Sequence, residues 1–334
     1  MINGKKLIEY TTYLDETCQE VLELKIKVMN DYVDEFIILE SNKTQSGKPI
    51  EYKLKQRIKE LGLPEHKIRV IEYKIPEDDD LPITITDFKN TKEGNDAYFD
   101  SVKARTRERL QKDYICEILN TIDDNAYIIA GDCDEVINPI YLETIANEVD
   151  KTGNIIFAAL DYLQGRADLI THEASGGPSA WGCNIFMCKK FHLERTSPLI
   201  IKSMQPCPFV RSWVKVNNSN DFFVMGWHFS WMGDKSRRLI KRDSFCHYND
   251  KFSYLDWQSY SSDTATNMLS KDASEGMEAY SGKHHRLFPY PHEKLPKEIF
   301  QSKKLRNFFL PGYEEPMSVD SIISIETSNT VIYE

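Results

Sequence analysis

An unbroken apolar run, Ala126-Tyr127-Ile128-Ile129-Ala130, stops abruptly at Gly131-Asp132-Cys133-Asp134-Glu135. A run of this length without a polar member reads as a buried strand, so the chain is expected to build a sheet covered on each side. That strand delivers acids to its C-terminal end. Alternate residues of an extended segment point the same way, so Asp132 and Asp134 are expected to converge on one hard cation while Cys133 turns away. Mg²⁺ and Mn²⁺ held by so few carboxylates fill their remaining positions with water and phosphate oxygens. The pair therefore predicts a phosphorylated ligand; a plain acidic turn before Pro139 is the competing reading.

The surrounding pattern repeats the strand signal. Lys6 to Tyr13 reads as a strand, Glu16 to Asn30 as a helix and Phe36 to Leu39 as a second strand, a β-α-β unit that normally makes parallel neighbours. Lys67 to Tyr73 follows as a strand, and Asp96 to Ile122 as one long helix leading into the Ala126 strand. The alternation predicts an α/β fold with a mainly parallel, Rossmann-like sheet flanked by helices, binding its ligand beyond the strands' carboxyl ends. Beyond Pro139 the pattern is less regular. A short helix (Ile140 to Val149), strands at Ile155 to Leu163, Asn184 to Phe191 and Phe222 to Phe229, and helices at Lys235 to Lys241 and Ser253 to Met268 are expected.

Composition removes several function classes. A net charge of -10 over 334 residues argues against a nucleic-acid partner, because the basic residues are interspersed with acids. The 7 cysteines include no C-x-x-C pair and fit reduced thiols better than a disulfide framework. No signal peptide and no membrane span are visible, which predicts a cytoplasmic protein and makes the two glycosylation sequons, at Asn42 and Asn217, chance matches.

Four collinear stretches resemble glycosyltransferase family 17: Glu40 to Pro49, Arg107 to Lys112, Gly131 to Glu135, and Gly226-Trp227-His228-Phe229-Ser230 with Ser244-Phe245-Cys246-His247. The resemblance implies a GT-A-type nucleotide-diphospho-sugar transferase fold with an elaborated C-terminal half. It also implies an Asp-x-Asp site for Mn²⁺ or Mg²⁺, a UDP-sugar donor such as UDP-N-acetylglucosamine, and inversion at the anomeric carbon. Residues 1–150 would form the nucleotide-sugar-binding half, and residues 151–334 the acceptor-binding half and C-terminal segment of one continuous domain. With no anchor or export signal in the sequence, the expected acceptor is a glycan, a glycolipid or a glycosylated small molecule in a microbial or viral setting.

Roles follow residue by residue. Asp134 is the first choice as metal ligand, Asp132 a ligand or ribose contact, and Glu135 a supporting acid or a solvated one. His228 or His247 would close the metal shell, and His284 or His285 would do so if the C-terminal segment folds over as a lid. Arg107 and Gln111 lie four apart and share a helix face that can look at the donor, whereas Arg105 and Arg109 are expected in solvent. From the loop after the second strand, Ser41, Lys43 and Lys48 would touch sugar or diphosphate, and Glu40 a ribose hydroxyl or uracil. Inversion needs a carboxylate base, for which Asp161, Asp234 and Glu173 are candidates. Trp181, Trp227 and Trp231 would form an acceptor platform or core. The basic stretch Lys235 to Arg242 would be a solvated face or would steer anions.

Two other functions use the same letters. Asp132-Cys133-Asp134-Glu135-Val136 also satisfies the D-x-D-x-[TV] pattern of haloacid dehalogenase-type phosphatases, with Asp132 as nucleophile. A glycan-binding module without turnover would bind acceptor irrespective of metal.

Overall fold

The structure is a computed structural model that describes residues 1–85, 87, 98–172, 180–182, 184–203, 207–209, 211–215, 223–246, 277–278 and 284–312. Glu173, His247 and the helix expected at Ser253 to Met268 lie outside the described residues. In chain order, β1 (Leu7–Tyr13), α1 (Asp15–Met29), β2 (Glu35–Ser41), α2 (Leu54–Glu60) and β3 (Ile68–Tyr73) alternate, and α3 (Tyr98–Asp113) precedes β4 (Tyr127–Ala130). Then come β5 (Glu135–Ile137), α4 (Leu142–Thr152), β6 (Ile155–Phe157), β7 (Ala159–Gln164), β8 (Leu169–His172), β9 (Ala180–Trp181) and β10 (Phe186–Lys189). The remaining elements are α5 (Lys190–Leu193), α6 (Pro198–Lys202), β11 (Arg211–Trp213), β12 (Val224–Ser230), α7 (Lys235–Ser244), β13 (Met277–Glu278), β14 (His284–Pro289), α8 (Lys297–Gln301) and α9 (Lys303–Phe309).

The first sheet runs β11-β6-β10-β4-β1-β2-β3. Strands β3, β2, β1 and β4 are mutually parallel, and β10 lies antiparallel to both β4 and β6. The period of two sorts β4 cleanly: Tyr127 and Ile129 join the core on one face, Ile128 and Ala130 the core on the other. Both faces are therefore covered, as the continuous apolar run requires. A second sheet runs β13-β14-β8-β7-β12-β5, with β9 attached to β7.

Three segments differ from the sequence expectation. The strand expected over Ile155 to Leu163 breaks at Ala158, whose N–H donates to the Ile185 carbonyl at 3.1 Å; β6 stays in the first sheet and β7 enters the second. The long helix ends at Asp113 and continues as a 3₁₀ segment, Tyr114–Thr121. Direction also escapes periodicity, since β10 has the apolar content of its neighbours yet runs against them. The chain passes from the first sheet to the second between β4 and β5, and the acids sit in that passage.

Candidate active site

A cleft of about 490 Å³ opens at the carboxyl ends of β1, β2 and β4, walled on the far side by the second sheet and α7. Asp132 and Asp134 both face it. They converge through a turn rather than through extended alternation: the Glu135 N–H donates to the Asp132 carbonyl at 3.0 Å, and Cys133 is buried in the core. Glu135 is fully buried and structural. Its carboxylate accepts from the Asp132 N–H at 2.7 Å and from the Trp181 indole at 2.7 Å. Gly131 is required beside it, because a Cβ there would lie 2.7 Å from Ile185 Cγ1 and 3.0 Å from Glu135 Oε2. From beneath, Lys25 donates to the Asp132 carbonyl at 3.0 Å.

The two carboxylates are surrounded by cations. Lys112 Nζ is 3.2 Å from Asp132 Oδ2, Lys202 Nζ is 3.3 Å from Asp132 Oδ1, and Lys241 Nζ is 2.7 Å from Asp134 Oδ2. Burial opposes ionisation of Asp134, but the Lys241 ammonium and the His228 imidazole hold its carboxyl well below the usual range. Asp132 is lowered in the same way, Lys112 and Lys202 outweighing its desolvation.

Strand β12 delivers the histidine. It pairs antiparallel with β5, opposing His228 to Glu135, and the Phe229 N–H donates to the Asp134 carbonyl at 2.8 Å. His228 Nε2 thereby stands 3.6 Å from Asp134 Oδ2. Its ring stacks on Tyr162 (5.1 Å, 9°) and leans on Trp181 (4.3 Å, 32°), while Nδ1 is buried without a hydrogen-bond partner among the described residues. Trp231 joins the cleft wall, whereas the Trp227 indole donates to the Lys294 carbonyl at 2.9 Å and belongs to the core.

The other sequence candidates separate. Ser41, Lys43 and Gln111 face the cleft, Gln111 donating to Ser41 Oγ at 2.9 Å while Lys43 reaches Glu77 at 2.6 Å. Glu40 caps α2 instead, accepting from the Lys53 and Leu54 N–H groups at 2.7 and 3.0 Å. Arg107 points away from the cleft to Asp78 (2.6 Å) and the Gln45 carbonyl (3.1 Å), beneath Gly47, and Lys48 is exposed. Asp161 accepts the Tyr290 hydroxyl at 2.6 Å and Asp234 caps α7 through the Arg237 N–H at 2.9 Å; neither is in the cleft wall. The acids that are, besides the pair, are Asp87 and Glu108. Arg109 is engaged by Asp87 at 2.9 Å rather than solvated.

Sequence reasoning gave no role to Lys112, Lys202 or Tyr162, offered Lys241 only as part of a basic stretch that would be solvated or steer anions, and placed Arg105 in solvent although it lines the cleft. Arg105, Glu108 and Lys112 are spaced three and four apart, so one helix face carrying all three was available as a signal. For Lys202 there was none. The basic helix α7 turns inward: Arg237 pairs with Glu20 at 2.5 Å, and Arg238 is buried against the Gly165 carbonyl at 3.2 Å.

The residues fit a hard divalent cation that arrives with its ligand. Among the described residues no set of three or more His, Cys, Asp or Glu side chains is gathered to hold an ion by itself. Two ionised carboxylates converge, and an imidazole with an orphaned buried nitrogen stands beside one of them. Such a donor set leaves coordination positions for phosphate oxygens and water.

No family model and no curated protein matches the chain. Solved structures do. The chain is similar to a mycobacterial protein at 16% identity, over 48% of this chain and 42% of that one, TM-score 0.25. It is also similar to glucosyl-3-phosphoglycerate synthase from Mycobacterium tuberculosis in complex with Mn²⁺, UDP-glucose and phosphoglyceric acid, at 15% identity over 48% and 44% with TM-score 0.24. A further structure of that M. tuberculosis synthase matches at 12% identity over 86% and 89%, TM-score 0.32. The chain spans less than half the length of the first two. The topology itself agrees with the GT-A-type expectation: a parallel β3-β2-β1-β4 core with an antiparallel neighbour to β4 and an acidic turn leading into a second sheet. The resemblance to glycosyltransferase family 17 is corrected: no family model matches the chain, the solved structures that match bear another name, glucosyl-3-phosphoglycerate synthase, and four short collinear motifs do not establish a family. No helix among the described residues is long and apolar enough to cross a membrane.

Proposed function

We propose that this protein is a metal-dependent glycosyltransferase that moves a sugar from a UDP-sugar to the hydroxyl of an acceptor. The observation that carries the proposal is the placement of Asp132 and Asp134 at the end of β4, both ionised and both facing one cleft with the ends of β1 and β2. The nucleoside would lie against the β1 and β2 ends, where Thr12, Ser41 and Gln111 offer hydrogen bonds. The diphosphate would lie at the acidic turn, and the sugar against the Tyr162, Trp181 and His228 rings, whose apolar faces suit a pyranose. A bound Mn²⁺ or Mg²⁺, held by Asp132 and Asp134 with His228 in reach, would supply Lewis-acid stabilisation of the departing diphosphate.

A cleft of about 490 Å³ suits a nucleotide sugar with a compact acceptor, so we favour a small hydroxylated molecule over a polymeric glycan. The phosphatase reading is weaker here, because three parallel strands precede β4 whereas that motif closes the first strand of its domain.

Thermal-shift assays with a panel of UDP-sugars, with Mn²⁺ or EDTA, test the reading and identify the donor. A metal-dependent shift with UDP is expected, followed by turnover that Asp134→Asn lowers at least about 10²-fold while the fold stays intact. Turnover unchanged by that substitution would overturn the reading, and phosphate release without a nucleotide sugar would favour the phosphatase. Proton NMR of the product reports configuration at the anomeric carbon.

A further inference from the structure

Lys202 and Lys241 have a property that neutralising two acids does not explain. Lys202 comes from α6, Lys241 from α7 and Lys112 from α3, three elements far apart in sequence that converge on one acidic pair. A buried carboxylate needs one cationic partner, and Asp132 has two, with side chains only 13% and 6% exposed. Ordering long side chains in a low-dielectric wall costs entropy and desolvation. All three lysines line the cleft.

A cation on Asp132 and Asp134 would compete with the lysines for the carboxylate oxygens and would repel their ammonium groups. Lys112 would keep Glu108 at 2.9 Å. Among the described residues Lys202 would keep only Glu135 at 3.7 Å, whose oxygens already accept from Trp181 and from the Asp132 N–H. Lys241 would keep the face of Trp231, with Nζ 5.3 Å from the ring centroid. With their carboxylates taken, Lys202, 6% exposed, and Lys241, 29% exposed, call for a new anion at the cleft, and the ligand that brings the cation brings one.

We propose that Lys202 and Lys241, with Lys112 beside them, form a diphosphate clamp: carboxylate-bound in the free protein, they transfer their N–H donors to the donor's phosphate oxygens when the cation binds. The inference rests on the glycosyltransferase reading and adds which side chains hold the leaving group. The bond from the anomeric carbon to the β-phosphate oxygen breaks with both electrons going to that oxygen, the acceptor hydroxyl oxygen bonds to the same carbon and gives up its proton to a base or to water, and the clamp neutralises the charge gathering on the diphosphate.

The test compares Lys202→Met and Lys241→Met with wild type for binding of UDP, UMP and Mn²⁺ alone by calorimetry. The clamp predicts UDP affinity at saturating Mn²⁺ lowered at least tenfold, UMP affinity much less affected, Mn²⁺ binding unchanged or tighter, and partial rescue by Lys202→Arg. Tighter Mn²⁺ binding with UDP affinity unchanged or raised would overturn it, leaving the lysines as neutralisers of the free acids. Should Lys202→Met fail to fold, judged by circular dichroism, Lys241→Met and Lys202→Arg carry the same comparison. If wild type binds no UDP, the glycosyltransferase reading fails separately; Mn²⁺ with pyrophosphate then probes the clamp, which stands if wild type binds that pair and the methionine variants do not, and falls otherwise.

Discussion

The Nζ of Lys25 lies 2.5 Å from Oε1 of Glu9, with both side chains 1% exposed. The same ammonium donates to the Asp132 carbonyl, so a buried ion pair between β1 and α1 props the turn that presents the acids to the cleft.

Removing one partner strands a charge in the core. Glu9→Leu or Lys25→Met alone is expected to cost about 3–5 kcal/mol in urea denaturation, whereas the two together recover most of the loss. A strictly additive double variant would show that the pair is not coupled.

Gly226 tolerates no side chain. A Cβ there would come within 2.1 Å of the Val136 carbonyl oxygen and 2.8 Å of Ile137 Cα, both backbone atoms of β5. Gly226→Ala should destabilise by about 3 kcal/mol or more through forced separation of β12 from β5. Gly153→Ala, where φ is +66° but nothing lies within 4 Å, should cost only about 1–2 kcal/mol. Equal melting temperatures for the two variants would contradict the close approach.

Asp113 carries a pH signature. Its carboxylate accepts from the Leu199 N–H and the Ser197 hydroxyl, each at 2.8 Å, and burial pushes its pKa up to about 6. A folded-state value above the unfolded one means that the folded protein holds the proton more tightly. The associated stability is complete below the ordinary carboxylate value of about 4 and is lost as pH rises through about 6. Relative to Asp113→Asn, which cannot titrate, wild type should therefore gain stability on acidification from pH 7 to pH 4, by at most about 1.4 kcal/mol per pH unit. Parallel stability curves for the two proteins across that range would refute the assignment.

Cys18 is expected to be the most reactive of the cleft thiols, ahead of Cys133 and Cys246. A hydrogen bond from Cys133 brings its pKa down to about 7, while burial pushes Cys116 up to about 12. Alkylation by iodoacetamide, followed by mass spectrometry, should label Cys18 first, with a midpoint near neutral pH. UDP with Mn²⁺ should slow the labelling, and preferential labelling of Cys116 would contradict this order.

The parallel core of the first sheet and its acidic end were legible in local pattern alone. An apolar run that stops at two carboxylates is a local pattern, and the strand period sorts its residues between two cores whatever the rest of the chain does. Helical spacing states only which residues share a face. Arg107 and Gln111 do share one, yet Arg107 is drawn off by Asp78 and Gln45, while Gln111 reaches Ser41. The choice among faces was made by α3 packing against α6 and β1, which turns Glu108 and Lys112 to the cleft. Lys202, Lys241 and His228 meet the acids across sequence separations of 70, 107 and 94, and only the closure of two sheets around one turn could bring them there. Charge at such range is set by the path of the backbone through space, which no spacing along the chain encodes.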